Sequence, residues 1–468
     1  MRKISTAVLL SLSLIACKKQ HIDPPKGAEA DVVITLHQAS PGYTISPQFI
    51  GLSFETGILT GYPEYLNVNN KMLVQLFGNI GPGLLRIGGD TSDEIGWTGS
   101  ARDGATAPDM LTTSDVDRLS AFSRLTGWPV LFGLNMANDD AKTAANEAMY
   151  VNNSLGSNLF AFQSGNEPDI YQSYKFRSAA YDANGYNSDW EKYRTSIISM
   201  VPNASFAGPD VAYNVSWVTT FAFSESSLVK LLDAHYYVEG PASDPQINYH
   251  DLLSTDYDLP GYINTLKTAS VQHGVPYRIT ECNNIYGGGK AGTSDVFASA
   301  LWALDFMWTV AENDGQGINF HGGQSYFYSP VTMANGVLTV HPEYYAMLAF
   351  KYGGSGGITI PLSMSNTKFN CSAYACLKQD KSYTITLINK EDTKDMSFNV
   401  PINSHSSTIT VARLIAPTIT STTGVTFAGN AVQPDGTFKT GTVEHYPVDQ
   451  NSFDINVPAG SVAIITVQ

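Results

Sequence analysis

Positive charge is scarce in this chain. Lys and Arg number 27 in 468 residues, against 42 Asp and Glu, and the formal net charge is −15. A nucleic-acid binder carries a clustered basic surplus, so that class is excluded. General capture of sulfated or phosphorylated polymers is disfavoured too, although a net figure leaves a local basic cleft open. Charged residues of both signs make up only 15% of the chain, while 43% is hydrophobic and 11% aromatic. That balance excludes disorder or coiled coil as the main state. Four cysteines are too few for a disulfide scaffold. No H-E-x-x-H or paired C-x-x-C spacing occurs, so neither a metal nor a cofactor is expected. Gly287-Gly-Gly-Lys290 lacks the Walker spacing and the Ser or Thr after Lys. Gly353-Gly-Ser-Gly-Gly357 has the letters of a serine-hydrolase elbow. It follows a helical stretch and precedes a strand, the reverse of the context an elbow needs, and reads as a domain-crossing linker.

Long apolar runs are missing as well. The one near the start, 7–16, is too short for a membrane span, which needs about 20 residues. Arg2 and Lys3 precede it and Leu14-Ile15-Ala16-Cys17 ends it, a pattern that resembles a bacterial lipobox. The alternative is an ordinary secretory signal that ends near a cysteine. The expectation is a lipoprotein signal over 1–17 with Cys17 lipidated and a polar tether over 18–30. Membrane contact would be through lipid alone, in the cell envelope of a Gram-negative bacterium, on the periplasmic or outer-membrane surface. Cys371 and Cys376 either close a small loop in that oxidising compartment or stay reduced. Cys282 reads as a small buried side chain.

At about 150 residues per domain, the length suggests two or three domains, or one barrel of roughly 250 residues with a smaller partner. The stretch 31–37 alternates and is β-branched, a strand pattern. Short apolar runs then end near 50–55, 84–90, 130–135, 159–166, 206–210, 231–237, 277–281 and 317–321. Helical stretches lie between them, such as 68–77, 114–126, 190–200, 263–273 and 296–313. Eight βα alternations predict a (β/α)8 TIM barrel over 46–350, with polar residues at the strand ends that form its catalytic face. After 351–357 the composition turns to Thr, Ser, Val and Ile, with strand runs at 382–389, 407–414 and 461–467. This predicts an all-β sandwich of 351–468 together with 31–45.

Two strands end in a glutamate. Gly165-Asn-Glu-Pro-Asp169 puts Glu167 after the run 159–162, and Tyr277-Arg-Ile-Thr-Glu-Cys282 ends a second run in Glu281. Retaining glycoside hydrolysis needs such a pair about 5 Å apart, one carboxyl to protonate the leaving oxygen and one to attack the anomeric carbon. Two barrel strands can bring them to one rim.

With these residues in hand, the chain resembles the heparanase and β-glucuronidase family of retaining glycoside hydrolases, family 79 of the large (β/α)8 clan. The motifs that carry the resemblance are Asn166-Glu167-Pro168, Glu281 followed by Tyr286-Gly-Gly-Gly289, and Ser294-Asp-Val-Phe297. Leu85-Arg-Ile-Gly-Gly-Asp-Thr-Ser-Asp93, Ser46-Pro-Gln-Phe49 and His235-Tyr-Tyr237 add to it. The resemblance implies Glu167 as acid/base and Glu281 as nucleophile. It implies Asn166 on the sugar 2-hydroxyl, and Tyr236 beside the nucleophile with Tyr237 as the adjacent alternative. Tyr286 and the amides of Gly287 and Gly288 would hold a uronic-acid carboxylate. Glu55 and Asp90 would bind the 3- and 4-hydroxyls, and His321 and Tyr328 would line the sugar site.

The implied substrate is a glycoside or oligosaccharide ending in β-linked glucuronic acid, plain or 4-O-methylated, cut in exo fashion. Endo cleavage inside a polysaccharide is the alternative, and a non-catalytic glycan-binding lipoprotein is the non-enzyme rival. The rival predicts loss of one carboxylate, and both are present. Asp90-Thr91-Ser92 stands where mammalian heparanases carry a lysine-bearing segment, which argues against heparan sulfate.

Overall fold

Each of the eight apolar runs forms a strand, because each is buried on both faces, as parallel barrel strands are. They are β1 (Ile50–Glu55), β2 (Leu84–Gly88), β3 (Val130–Leu134), β4 (Leu159–Ser164), β5 (Ala207–Val211), β6 (Leu231–Glu239), β7 (Tyr277–Ile285) and β8 (Ile318–Gly322). The computed structural model describes residues 30–40, 42–366, 368–402, 408–447 and 451–468. The expected signal, Cys17 and all but the last residue of the tether lie outside the described residues.

The eight strands form one parallel sheet in the order β4-β3-β2-β1-β8-β7-β6-β5. A parallel bridge between Phe162 and Phe206 joins its two edges, so the sheet closes into a barrel. Helices pack outside. Helix Thr113–Thr126 shows why its residues choose that state. The Thr112 side chain accepts from the Asp115 amide, Asp115 returns the bond to Thr112, and Gly127 ends the helix at φ 71°. A cap of this kind stabilises by about 1 kcal/mol, and glycine takes the left-handed conformation without a Cβ penalty.

Three helices start away from expectation: the one expected over 263–273 begins at Leu259, with Pro260 in its first turn, and the other two differ for capping reasons. One of these two begins at Lys71 rather than near 68, because Asn70 accepts from the Leu73 amide. The other begins at Ala183 rather than near 190, because Asp182 caps Gly185 ahead of a polar first turn.

Two further sheets stack over a separate apolar core that includes Val32, Ile34, Ile385, Phe398, Ile455 and Ile465. The strand Val32–Leu36 belongs here, antiparallel to Leu362–Met364 and parallel to Met396–Pro401. Among the described residues, the chain therefore passes through the sandwich before it enters the barrel. Helix Phe297–Glu312 is apolar nearly all round because it is covered on two sides. Trp308 stacks on Tyr374 of the sandwich at 5.5 Å, and Lys390 pairs with Asp305 at 2.8 Å.

Cys371 and Cys376 both lie on the strand Cys371–Leu377 and are free thiols. Five residues apart on one strand means opposite faces and roughly 16 Å of rise, which no disulfide spans. Cys282 is fully buried on β7, and its thiol donates to the Asn319 carbonyl at 3.3 Å. Gly353 ends helix Pro342–Gly353 and the strand Ile358–Ile360 follows, so the G-x-S-x-G letters fall on the crossing between domains. Among the described residues no helix is long and apolar enough to cross a membrane.

Candidate active site

Arg86, in the middle of β2, is fully buried and organises the barrel mouth. Its guanidinium donates to Glu281 Oε2 at 2.6 Å, Asp210 Oδ2 at 2.6 Å, Asn166 Oδ1 at 2.9 Å, Gln163 Oε1 at 3.0 Å and Ser53 Oγ at 2.9 Å. A lone arginine in an apolar strand is costly to bury unless every donor is matched. Here the strand ends supply the match, and Asp210 and Glu281 hold the guanidinium firmly protonated against the effect of burial.

Glu281 lies on β7, 6% exposed. Tyr237 donates to its Oε1 at 2.8 Å, and His321 Nδ1 lies 3.4 Å from its Oε2. Burial alone would raise its pKa. The charges of His321, His235 and Arg86 and the Tyr237 hydroxyl outweigh burial and hold the carboxyl well below the usual range. Glu167 sits just past β4 at φ 51°, with its Oε1 2.9 Å from His235 Nδ1. Burial pushes its carboxyl up, against the pull of His235, and the charge of Glu281 adds to the rise. Donor atoms of Glu167, His235 and Glu281 lie within 4.8 Å of one another. That spacing could hold a divalent ion. Both ring nitrogens of His235 already face carboxylates, though, and Arg86 lies against Glu281, so a metal would have to displace the protein's own cations.

The other expected residues gather around this pair. Asn166 is held by Arg86, and its amide donates to Asp90 Oδ1 at 3.1 Å. Its backbone N–H donates to the buried Asp93 at 2.9 Å. Asp90 opens to the cleft; partial enclosure, then the charges of Glu167, Glu55 and Glu281, raise its carboxyl to about 7. Glu55 accepts from the Thr91 amide at 2.9 Å and lies 3.4 Å from His321 Nε2. Burial opposes its ionisation, but His321 lowers its pKa. The His321 ring is buried between Glu55 and Glu281, whose charges raise its pKa against burial. Tyr328 is buried with its ring 6.0 Å from that of Tyr237. Tyr286 stands 47% exposed, 6.5 Å from Tyr237. Gly287 and Gly288 follow at φ 86° and 91°, a conformation only glycine adopts readily. Among the described residues their amides donate to no carbonyl or side chain. Beside Glu55 the cleft widens into a hollow of about 220 Å³ walled by Tyr62, Thr91 and Tyr326.

One expectation is corrected. Tyr236 does not support Glu281: its hydroxyl donates to Asp256 at 2.5 Å and its ring stacks on Phe306, outside the barrel. Neighbouring residues of a strand point to opposite faces, and Tyr237 is the one that points inward. Sequence reasoning also missed Arg86, Asp210 and His235. Arg86 and His235 were inside the quoted motifs, and a charge amid an apolar strand was the available signal.

Comparison with known proteins extends this picture. Residues 373–464 match the model of the glycosyl hydrolase family 79 C-terminal beta domain. A beta-glucuronidase of Aspergillus niger is 23% identical over 81% of this chain and 82% of its own. Heparanase-like protein 3 of Arabidopsis thaliana is 23% identical over 72% of this chain and 68% of its own. Among solved structures, a 4-O-α-L-rhamnosyl-β-D-glucuronidase from Fusarium oxysporum superposes with a TM-score of 0.77 at 19% identity. It spans 93% of this chain and 100% of its own, and it shares the barrel-plus-sandwich fold. The match to the sandwich and the relatives that span most of the chain converge: the chain resembles glycoside hydrolase family 79 and is a glycosidase.

Proposed function

We propose that this glycosidase is a retaining exo-β-glucuronidase that releases terminal β-linked glucuronic acid, plain or 4-O-methylated, from glycans. The observation that carries the reading is the close approach of Glu167 and Glu281, with oxygens within 4.8 Å. Retaining enzymes hold their carboxyls about 5–5.5 Å apart, whereas inverting ones leave about 6.5–9.5 Å for a water. The two are also unlike in charge. The cations and Tyr237 hold Glu281 well below the usual carboxylate range, while burial pushes Glu167 up and favours its protonated form.

Glu281 attacks the anomeric carbon as Glu167 gives its proton to the leaving oxygen, and the C–O bond to the aglycone breaks. The glycosyl ester cancels the charge of Glu281. That charge was one cause of the raised Glu167 pKa, so its loss favours the carboxylate form of Glu167, which can then take a proton from the incoming water. Water attacks the anomeric carbon, its proton goes to Glu167, and Glu281 leaves as carboxylate.

The uronate reading rests on the Tyr286-Gly287-Gly288 turn, whose two unbonded amides can donate to a carboxylate. The names of the two glucuronidases that resemble the chain support it as well. Exo action is supported by Glu55, Asp90 and His321, which offer hydrogen bonds to the far hydroxyls of a terminal ring. Asp90 at the cleft, beside three further carboxyls, is a poor neighbour for sulfate. The proposal also anchors the chain to the bacterial envelope through lipidated Cys17, on the strength of Leu14-Ile15-Ala16-Cys17.

The test is a side-by-side assay of aryl β-glucuronide, β-glucoside and β-galactoside, with the first-formed anomer read by NMR. Preference for the glucuronide with β-glucuronic acid formed first is the expected result. Equal or greater turnover of a neutral glycoside removes the uronate assignment. Oligosaccharides released from within a polysaccharide would replace exo by endo cleavage.

A further inference from the structure

Behind Glu167 lies a buried relay that the two-carboxyl scheme does not use. His235, on β6, is fully buried, with Nδ1 2.9 Å from Glu167 Oε1 and Nε2 2.8 Å from Asp210 Oδ1. Asp210, on β5, is nearly surrounded by donors. Its Oδ1 also accepts from Gln163 Nε2 at 2.5 Å and Thr280 Oγ1 at 3.0 Å, and its Oδ2 accepts from Arg86 at 2.6 Å. Its backbone amide donates to Asp233 Oδ1 at 2.8 Å, which fixes the strand end that carries it. A carboxylate so placed can only accept. The ring must therefore carry a proton on Nε2.

What remains is the proton on Nδ1. If Nδ1 were bare, Glu167 would donate its acidic proton to the ring, and the leaving group would find no donor. If Nδ1 is protonated, it donates to Oε1 of Glu167, and the carboxyl's own proton sits on Oε2, free for the cleft. We infer that Asp210 is a positioning residue: it holds His235 doubly protonated, so that the acid proton of Glu167 stays on Oε2 and faces the leaving oxygen. The inference rests on the role proposed above for Glu167.

The charges around the ring agree. Burial disfavours an imidazolium, but Asp210 from β5 and Glu281 from β7 outweigh both burial and Arg86 from β2. Asp233, on β6 behind Asp210, is pushed to about 8 by burial and by the Asp210 charge, so it holds a proton at neutral pH and adds no competing charge. After the glycosidic bond breaks, the Nδ1–H bond to the new Glu167 carboxylate becomes charge-assisted, which stabilises the base that the second step needs.

The experiment pairs a spectrum with a leaving-group series. In protein labelled with ¹⁵N-histidine, both His235 ring nitrogens should read as protonated at pH 7, the resonances being identified by their loss in His235→Gln. Asp210→Asn should return one of them to the unprotonated position. Its kcat/KM should fall about 10²- to 10³-fold on methyl β-glucuronide, whose leaving group needs an acid, and change little on 2,4-dinitrophenyl β-glucuronide. A neutral ring in the wild-type protein at pH 7 overturns the inference, even if the variant fails to fold. So does an equal loss on both substrates, which would mark a merely structural role. A wild-type enzyme that turns over neither glucuronide refutes the proposed function instead, and the spectrum still decides the state of the ring.

Discussion

Removing the two glutamates one at a time, with azide added, separates their roles by the stereochemistry of the product. Glu281→Ala deletes a carboxylate that faces Arg86 at 2.6 Å, Tyr237 at 2.8 Å and His321 at 3.4 Å. Breaking a buried ion pair typically costs about 3–5 kcal/mol because a charge is left alone. Arg86 is not left alone, since Asp210, Asn166, Gln163 and Ser53 still accept from it. The cost should fall at or below the low end of that range, and the variant should fold. The space vacated is lined by cations and a hydroxyl, so azide binds there and attacks from the face opposite the leaving group, giving the α-glucuronyl azide.

Glu167→Ala instead leaves His235 facing the vacancy and the nucleophile intact. Glycosylation by 2,4-dinitrophenyl β-glucuronide then proceeds, the intermediate accumulates, and azide releases the β-glucuronyl azide. On methyl β-glucuronide this variant should lose about 10² to 10⁴ in kcat/KM, the usual contribution of a general acid. Thin-layer separation and NMR of the azides read the result. Exchange of the two anomers between the variants would show the roles swapped, and full activity in either variant would place the chemistry elsewhere.

Further predictions test the supports of the site and the anchor. Tyr237→Phe removes the 2.8 Å bond to Glu281 and should lower kcat/KM about 10²-fold while moving the acid limb of the pH profile upward. Tyr236→Phe should leave both unchanged and lower stability by about 1–3 kcal/mol through Asp256, which chemical denaturation would resolve. Burial raises Glu147 from 4.5 to about 8, so between those values the folded chain holds a proton that the unfolded chain has released, and stability falls as pH rises. The melting temperature of Glu147→Gln, relative to wild type, should therefore climb from pH 5 to pH 9; a constant difference would contradict the burial argument. Cys17→Ser should turn a detergent-phase protein into an aqueous one, and a wild type already wholly aqueous refutes the anchor.

The barrel was legible because its strands are buried on both faces and interrupted by helices of ordinary length. Glu167 and Glu281 were legible because each follows a short apolar run, although β7 continues past Glu281 to Ile285 and Glu167 lies just beyond β4. Helix starts were less so: Asp182 caps a helix whose first turns hold few apolar residues, so periodicity picks it up about two turns late, whereas the apolar Val68 precedes the Asn70 cap and pulls the expected start three residues early. The choice between Tyr236 and Tyr237 could not be made from sequence. Both positions fall in a strand whose first six residues are buried on either face, so hydrophobicity carries no phase.

The Arg86–Asp210–His235 network was illegible for a deeper reason, and it explains why two glutamates in one cleft behave differently. The carboxylates here share three cations unequally. Glu55 faces His321, Asp210 faces Arg86 and His235, and Glu281 faces Arg86 and His321 with His235 4.0 Å away. Glu167 has only His235, which Asp210 already claims. Of the two glutamates, the one with fewer cations is the one whose protonated form is favoured. The proposed division between acid and nucleophile thus follows from where three cations fall on three strands, β2, β6 and β8. That pairing exists only once the barrel has closed, since Arg86 and Glu281 are 195 residues apart along the chain.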